Sequence, residues 1–175
     1  LIKKGEIKDL SEEKSICQFQ IIMEKLGKHK YLQYEISNYA KVGYKSKHNS
    51  AYWEQKPYIG FGPSAHSFYN NVRTYNVSSN TKYMNQIQRG SGYYEMEKLT
   101  NNDFYNEFVM TRLRTSKGVN IRELELLFPE YINGFKEKTS TFLRSGHLAF
   151  FGEEFRLTKE GKLMADYIAS EFFEL

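Results

Sequence analysis

A chain of 175 residues, 40% hydrophobic and 26% charged, is long enough to bury a core and reads as globular, in one large domain or two small ones. Its net charge of +4 is modest, and no apolar run could span a bilayer or serve as a secretory leader. The single Cys17 excludes an internal disulfide framework and any metal cage built from cysteines of this chain, which points to a reducing, cytoplasmic compartment. Peripheral attachment of a longer parent to a membrane stays open. The start Leu1-Ile2-Lys3-Lys4-Gly5 carries no initiator Met, so the chain is expected to be a piece of a longer protein.

In chain order, Ile16, Phe19, Met23 and Leu26 recur at helical spacing, with Ser11 as cap and Gly27 as stop. Cys17 on this helix is expected to be a buried thiol. Tyr31 to Ser37 reads as a strand, so that helix and strand make half of an α/β unit with Glu35 at the end of a parallel strand. Residues 38–57 are polar and basic and read as a long loop with at most one helical turn. Tyr58 to Phe61 reads as a short strand. Phe68 to Tyr75 reads as a hairpin turning at Asn70-Asn71, and Ser79 caps a helix through Tyr83, Met84 and Ile87 to Gly90.

From Thr100 the pattern changes. Thr100 caps a helix with Phe104, Phe108, Val109 and Leu113 on its apolar face, and Gly118 breaks it. Asn120 and Glu123 suggest a capping box for a short helix that stops near Pro129, and a third helix runs from Ile132 to Gly146. His147 to Leu157 reads as a hairpin turning at Gly152. Thr158 caps a last helix with Leu163, Met164, Tyr167, Ile168 and Phe172 inward. Three helices, a hairpin and a helix suggest a winged-helix-like domain at 96–175, after an α/β portion at 1–95, with the boundary near Tyr93 to Leu99.

Charge separates these parts. Residues 1–99 carry 15 Lys and Arg against 9 Asp and Glu, whereas residues 100–175 carry 10 against 12. The candidate recognition helix at 130–145 mixes Lys136, Lys138 and Arg144 with Glu130 and Glu137, and the wing turn is acidic at Glu153 and Glu154. A DNA reader needs a basic stripe, so no nucleic-acid partner is expected.

The chemistry concentrates in His48-Asn49-Ser50-Ala51-Tyr52-Trp53. On a helical turn His48 and Tyr52 share one face. An imidazole and a phenol beside an indole could hold a flat aromatic ligand or its iron, with Lys41, Lys45, Lys47 and Lys56 available for ligand carboxylates. The same residues could equally hydrogen-bond the loop and pack. His66 is a second candidate ligand, and Gly60-Phe61-Gly62-Pro63 suits close approach of backbone to a ligand or another strand. There is no G-x-S-x-G elbow, no H-E-x-x-H helix and no phosphate-loop pattern.

Three ordered strings carry a resemblance: Tyr34-Glu35-Ile36-Ser37-Asn38-Tyr39-Ala40-Lys41-x-Gly43, then His48-Asn49-x-x-Tyr52-Trp53, then Tyr58-x-Gly60-x-Gly62-Pro63-Ser64-Ala65-His66-Ser67. Together with Arg156-Leu157-Thr158-x-x-Gly161 they resemble the second half of HemW-type proteins. These are radical S-adenosylmethionine (SAM) proteins related to oxygen-independent coproporphyrinogen III oxidase. The resemblance implies the C-terminal part of a partial (β/α) barrel followed by a small winged-helix-like helical domain, an α/β plus α+β class. It implies a haem chaperone that passes haem to acceptor proteins. His48 would be the iron ligand, Tyr52, Trp53 and His66 would be haem contacts, and Tyr39 and Ala40 would be SAM neighbours. SAM and a [4Fe-4S] cluster belong to the full-length parent. The family's Cys-x-x-x-Cys-x-x-Cys motif is absent here, so this chain alone is expected not to cleave SAM.

Two rivals remain from other classes. The parent could be a coproporphyrinogen III oxidase performing radical decarboxylation, or the C-terminal part could be a winged-helix protein-interaction module. Exposed strand edges of a severed barrel would also favour self-association.

Overall fold

The computed structural model describes residues 11–175; the opening Leu1-Ile2-Lys3-Lys4-Gly5 lies outside the described residues. Helix starts follow the local caps. Ser11 accepts the Lys14 amide at the start of α1 (Glu12–Lys28). The helix runs through Gly27, and the left-handed residue that ends it is Lys30 at φ 64°. The amides of Lys30 and Tyr31 then return to the Gly27 and Leu26 carbonyls, as at other left-handed helix ends. Cys17 is exposed, contrary to expectation, because α1 buries no residue at all and leaves Ile21 and Ile22 nearly half accessible.

The expected parallel strand is instead an antiparallel hairpin. β1 (Leu32–Glu35) pairs with β2 (Asn38–Ala40) with an irregular register between Gln33 and Glu35. Its other edge meets the segment after α4 (Asn101–Leu113): Glu35 bridges Thr115, the Ile36 amide donates to the Arg114 carbonyl at 3.0 Å, and the Ser116 amide donates to the Tyr34 carbonyl at 3.0 Å. Within 38–57, read as a loop, lie β2 and a seven-residue helix, α2 (Lys47–Trp53). The strand expected at Tyr58 to Phe61 reduces to one bridge, between Tyr58 and Phe68.

The hairpin of β3 (His66–Tyr69) and β4 (Val72–Asn76) turns at Asn70 and Asn71, both left-handed (φ 48° and 65°), as a two-residue hairpin turn requires. After α3 (Asn80–Gln88), capped by Ser79, the chain adds β5 (Tyr94–Lys98) antiparallel to β4. This strand lies within the stretch Tyr93 to Leu99, and Leu99 directly after it is buried.

Thr100 and Asp103 form a reciprocal capping box at α4. This helix is central: Tyr105, Phe108, Val109 and Leu113 are buried, while Phe104, expected inward, is only half-buried. β6 (Val119–Asn120) leads into α5 (Ile121–Leu127), where the Asn120 side chain accepts the Arg122 and Glu123 amides. Glu123 does not close a capping box; its carboxylate pairs with Arg112 at 2.7 Å. A short 3-10 turn at Pro129–Tyr131 precedes α6 (Ile132–Arg144). β7 (Leu148–Phe151) and β8 (Glu154–Leu157) complete a three-stranded antiparallel sheet in the order β6-β8-β7. The expected last helix is two: α7 (Lys159–Lys162) and α8 (Ala165–Glu171). The break turns Ala165, Ile168, Ala169 and Phe172 inward and leaves Met164 and Tyr167 exposed.

The main core joins α4, α6, α8 and the β6-β8-β7 sheet around Tyr105, Phe135 and Phe172. Burial of such rings dominates the hydrophobic stabilisation. The N-terminal portion has little core of its own, with Tyr34 and Ala40 as its buried hydrophobics among the described residues before Leu99. No described helix is long and apolar enough to cross a membrane.

Candidate functional site

α2 is a small platform with two different sides. Ser46 starts it by accepting the Asn49 amide at 3.2 Å. Asn49 then faces inward: its Nδ2 donates to the Tyr34 hydroxyl at 3.3 Å, and its Oδ1 accepts the Trp53 indole N–H at 3.1 Å. Trp53 is half-buried, and the Arg114 guanidinium lies over its ring at 5.4 Å. Two members of the His-Asn-x-x-Tyr-Trp string thus fix the helix to the molecule. The other two, His48 and Tyr52, are exposed. Among the described residues neither His48 ring nitrogen has a hydrogen-bond partner, unlike His29 and His147.

Tyr52 forms one wall of a cleft of about 290 Å³ between α2, the β3-β4 hairpin and α4. Its ring lies 5.4 Å from that of Tyr58, which lies 6.4 Å from Phe68, so three aromatic rings run along one side. Burial pushes the Tyr58 phenol above its ordinary range, with the nearby Tyr52 adding to the effect. His66, exposed on β3 and 5.9 Å from the Tyr75 ring, stands at the same cleft. Arg73 and Glu107 form an ion pair at its base, and Glu97 lies 3.8 Å from the same guanidinium. Gln55, which follows α2, lines the cleft in a left-handed conformation (φ 54°), and its buried side-chain N–H group has no acceptor among the described residues.

The glycine string serves the strands. A Cβ at Gly60 would sit 2.1 Å from the His66 carbonyl oxygen, so only glycine lets this segment lie against β3. The Gly60 amide donates to the Ser67 hydroxyl at 3.0 Å, and Asn76 donates to the Gly62 carbonyl at 2.9 Å. Of the two uses open to this string, the contact found is with another strand.

Not all of the expected site residues come together. Tyr52 and His66 share the cleft, and His48 shares the outer face of α2 with Tyr52. Trp53 touches Tyr52 edge-on at 5.5 Å but lines a separate, smaller cleft with Lys45 and Arg112. Lys56 is paired with Glu54 at 2.7 Å, while Lys41 and Lys45 lie over the Tyr31 and Tyr34 rings. Tyr39 and Ala40 are on β2; Ala40 is buried, and burial pushes the Tyr39 phenol up while its hydroxyl finds no partner among the described residues. Among the described residues, no three His, Cys, Asp or Glu side chains gather as a metal cage.

Glu35 is neither a surface carboxylate nor a group at an open strand edge. It is 2% exposed, accepts the Ser37 amide at 3.0 Å and the Asn38 side chain at 2.5 Å, and meets Arg114 at 3.3 Å. Arg114, Gln55 and the Arg73–Glu107 pair escaped sequence reasoning. Their partners are distant in the chain, and no local spacing signals them.

Residues 99–164 match the family described as HemN C-terminal domain. The heme chaperone HemW of Bacillus subtilis is 32% identical, over 98% of this chain and 46% of that protein. Along nearly all of its length the chain is similar to HemW-type heme chaperones. The heme chaperone HemW of Mycobacterium tuberculosis is 24% identical, over 95% of this HemW-like chain and 41% of its own length. The coproporphyrinogen III oxidase HemN of Escherichia coli, described as a radical SAM enzyme, has the same mixed α/β fold. The TM-score is 0.73 at 17% identity, over 95% of this chain and 43% of that one. The HemW-like chain spans somewhat under half the length of these curated relatives.

Proposed function

We propose that this chain carries the haem-binding region of a HemW-like haem chaperone, with haem held on the outer face of α2 and passed on to acceptor proteins. The carrying observation is the division of the His-Asn-x-x-Tyr-Trp string: Asn49 and Trp53 anchor the helix, which leaves the His48 imidazole exposed and unbonded beside Tyr52. A neutral imidazole is a good axial ligand for haem iron, and the Tyr52-Tyr58-Phe68 wall suits the face or edge of a porphyrin. In this reading His48 is the iron ligand, Tyr52 and His66 are haem contacts, and Trp53 contributes by fixing the helix and through its edge on Tyr52. The haem supplies the iron; the chain supplies a ligand and a surface that can give the cargo up.

Tyr39 and Ala40 are the proposed SAM neighbours, with SAM and its [4Fe-4S] cluster held by the longer protein. On this reading residues 1–95 form the C-terminal portion of a partial barrel. Residues 96–175 form a winged-helix-like domain, a proposal supported by the order of three helices and the β6-β8-β7 sheet.

The test is a haem titration followed by absorbance, with His48→Ala and His66→Ala alongside the unaltered protein. Stoichiometric binding, lost in His48→Ala and only weakened in His66→Ala, is the expected result. Unchanged affinity and an unchanged Soret band in His48→Ala would remove His48 as ligand. The absence of binding by any form would leave the oxidase reading ahead, to be decided by turnover of coproporphyrinogen in the full-length protein.

A further inference from the structure

Arg114 stands where four elements meet. It follows α4, and its guanidinium donates to Glu35 of β1 at 3.3 Å and pairs with Asp166 of α8. The flat face of the same group lies 5.4 Å over the Trp53 ring at the end of α2. Its backbone carbonyl accepts the Ile36 amide, so main chain and side chain hold the same seam. The side chain is 19% exposed, and both carboxylates use its donors without displacing the indole.

Among the described residues, few side-chain contacts hold α2 to the rest of the molecule. The helix has seven residues, too few to be stable alone, and buries none of them. Its contacts are Asn49 on Tyr34, Trp53 on Asn49 and Arg114, and the Tyr52 ring against that of Tyr58. Glu35 and Tyr34 are adjacent on β1, so Arg114 fixes both the strand that receives Asn49 and the ring that receives the guanidinium. Removing that side chain would leave a buried carboxylate without its counter-charge and an indole without its cover.

We propose that Arg114 is the positioning residue of α2: it sets how the helix presents His48 and Tyr52, and it ties that presentation to α8 through Asp166. The consequence for haem rests on the function proposed above, but the positioning of the helix does not. Lysine could keep the charge but not the flat group that covers an indole while meeting two carboxylates.

Trp53 is the one tryptophan of the chain, so its emission reports this contact directly and without any ligand. The experiment compares the unaltered protein with Arg114→Met, Arg114→Lys and the milder Asp166→Asn. Each is checked for cooperative unfolding, then measured for Trp emission maximum, iodide quenching and haem affinity. Arg114→Met is expected to red-shift the emission, raise quenching severalfold and weaken haem at least tenfold with an altered Soret band. Arg114→Lys should recover part of both losses. If Arg114→Met fails to fold, Asp166→Asn carries the test with a smaller shift in the same direction. Unchanged quenching in folded variants would overturn the positioning role, whereas mobilised Trp53 with unaltered haem affinity would support that role and overturn only its consequence for haem. If the unaltered protein binds no haem, the function proposed above fails while the quenching result still decides whether Arg114 positions α2.

Discussion

Replacing Gly60 by alanine isolates the close approach that holds His66 in place. The added Cβ would lie 2.1 Å from the His66 carbonyl oxygen and 2.9 Å from its carbonyl carbon and amide nitrogen, all backbone atoms that cannot rotate aside. Ordinary contact requires the segments to part by more than an ångström. The motion is resisted by the Tyr58 and Phe68 amides, each bonded to the other's carbonyl at 3.0 and 2.9 Å, and by the Gly60 amide on Ser67. Forced backbone displacement costs about 1–3 kcal/mol, and each hydrogen bond lost adds about 1 kcal/mol. Gly60→Ala is therefore expected to lower stability by about 2–5 kcal/mol, read from urea midpoints. Gly27→Ala in α1 is the control. Nothing lies within 4 Å of its Cβ, and it should raise stability by up to about 0.5–1 kcal/mol. A Gly60→Ala protein within about 0.5 kcal/mol of the unaltered one would mean that the glycine is not required by this approach. It would also mean that this contact does not hold His66 at the cleft.

Two further outcomes test other parts of the fold. Tyr105 is fully buried with no acceptor for its hydroxyl among the described residues, and burial holds its pKa far above the ordinary 10. Its contribution is present below pH 10 and lost as pH rises above it, because the unfolded phenol then ionises while the folded one stays protonated. Tyr105→Phe should stabilise the protein by about 1 kcal/mol at neutral pH and flatten its loss of stability above pH 10, measured by denaturation at several pH values. Cys17, exposed on α1, should react with a disulfide reagent in the native protein nearly as fast as in urea; strong protection would restore a buried thiol.

Where structure is decided locally, the sequence was readable. Ser11, Ser79, Thr100 and Thr158 each accept an amide three residues on, and Asn70-Asn71 sets its own turn. β5 is missed from sequence although Tyr94 and Met96 alternate with Glu95 and Glu97, because the run is short and all five of its residues are exposed. The split of the last helix between α7 and α8 was missed for a related reason. Leu163 and Met164 fit a continuous apolar face, but docking α8 on α4 turns a different set inward. Glu35 could be picked out but not understood, since its guanidinium partner lies 79 residues further on. His48 and Tyr52 were legible as a pair from their spacing. That Asn49 and Trp53 point the other way, into the molecule, required Tyr34 and Arg114 to be seen beside them.

The seam between Tyr34–Ile36 and Arg114–Ser116 has a consequence for how the chain can be divided. A protease cut beside Leu99 would open a connection, not separate two bodies. The hairpin would still be bonded to the segment after α4, with Lys162 on Gln33 and Arg73 paired to Glu107 spanning the same gap. The two pieces would behave as halves of a split protein, and the first would lose its hairpin's outer partner if the second were washed away. Residues 11–98 expressed alone would therefore offer an unpaired strand edge to any neighbour, and with it the risk of aggregation.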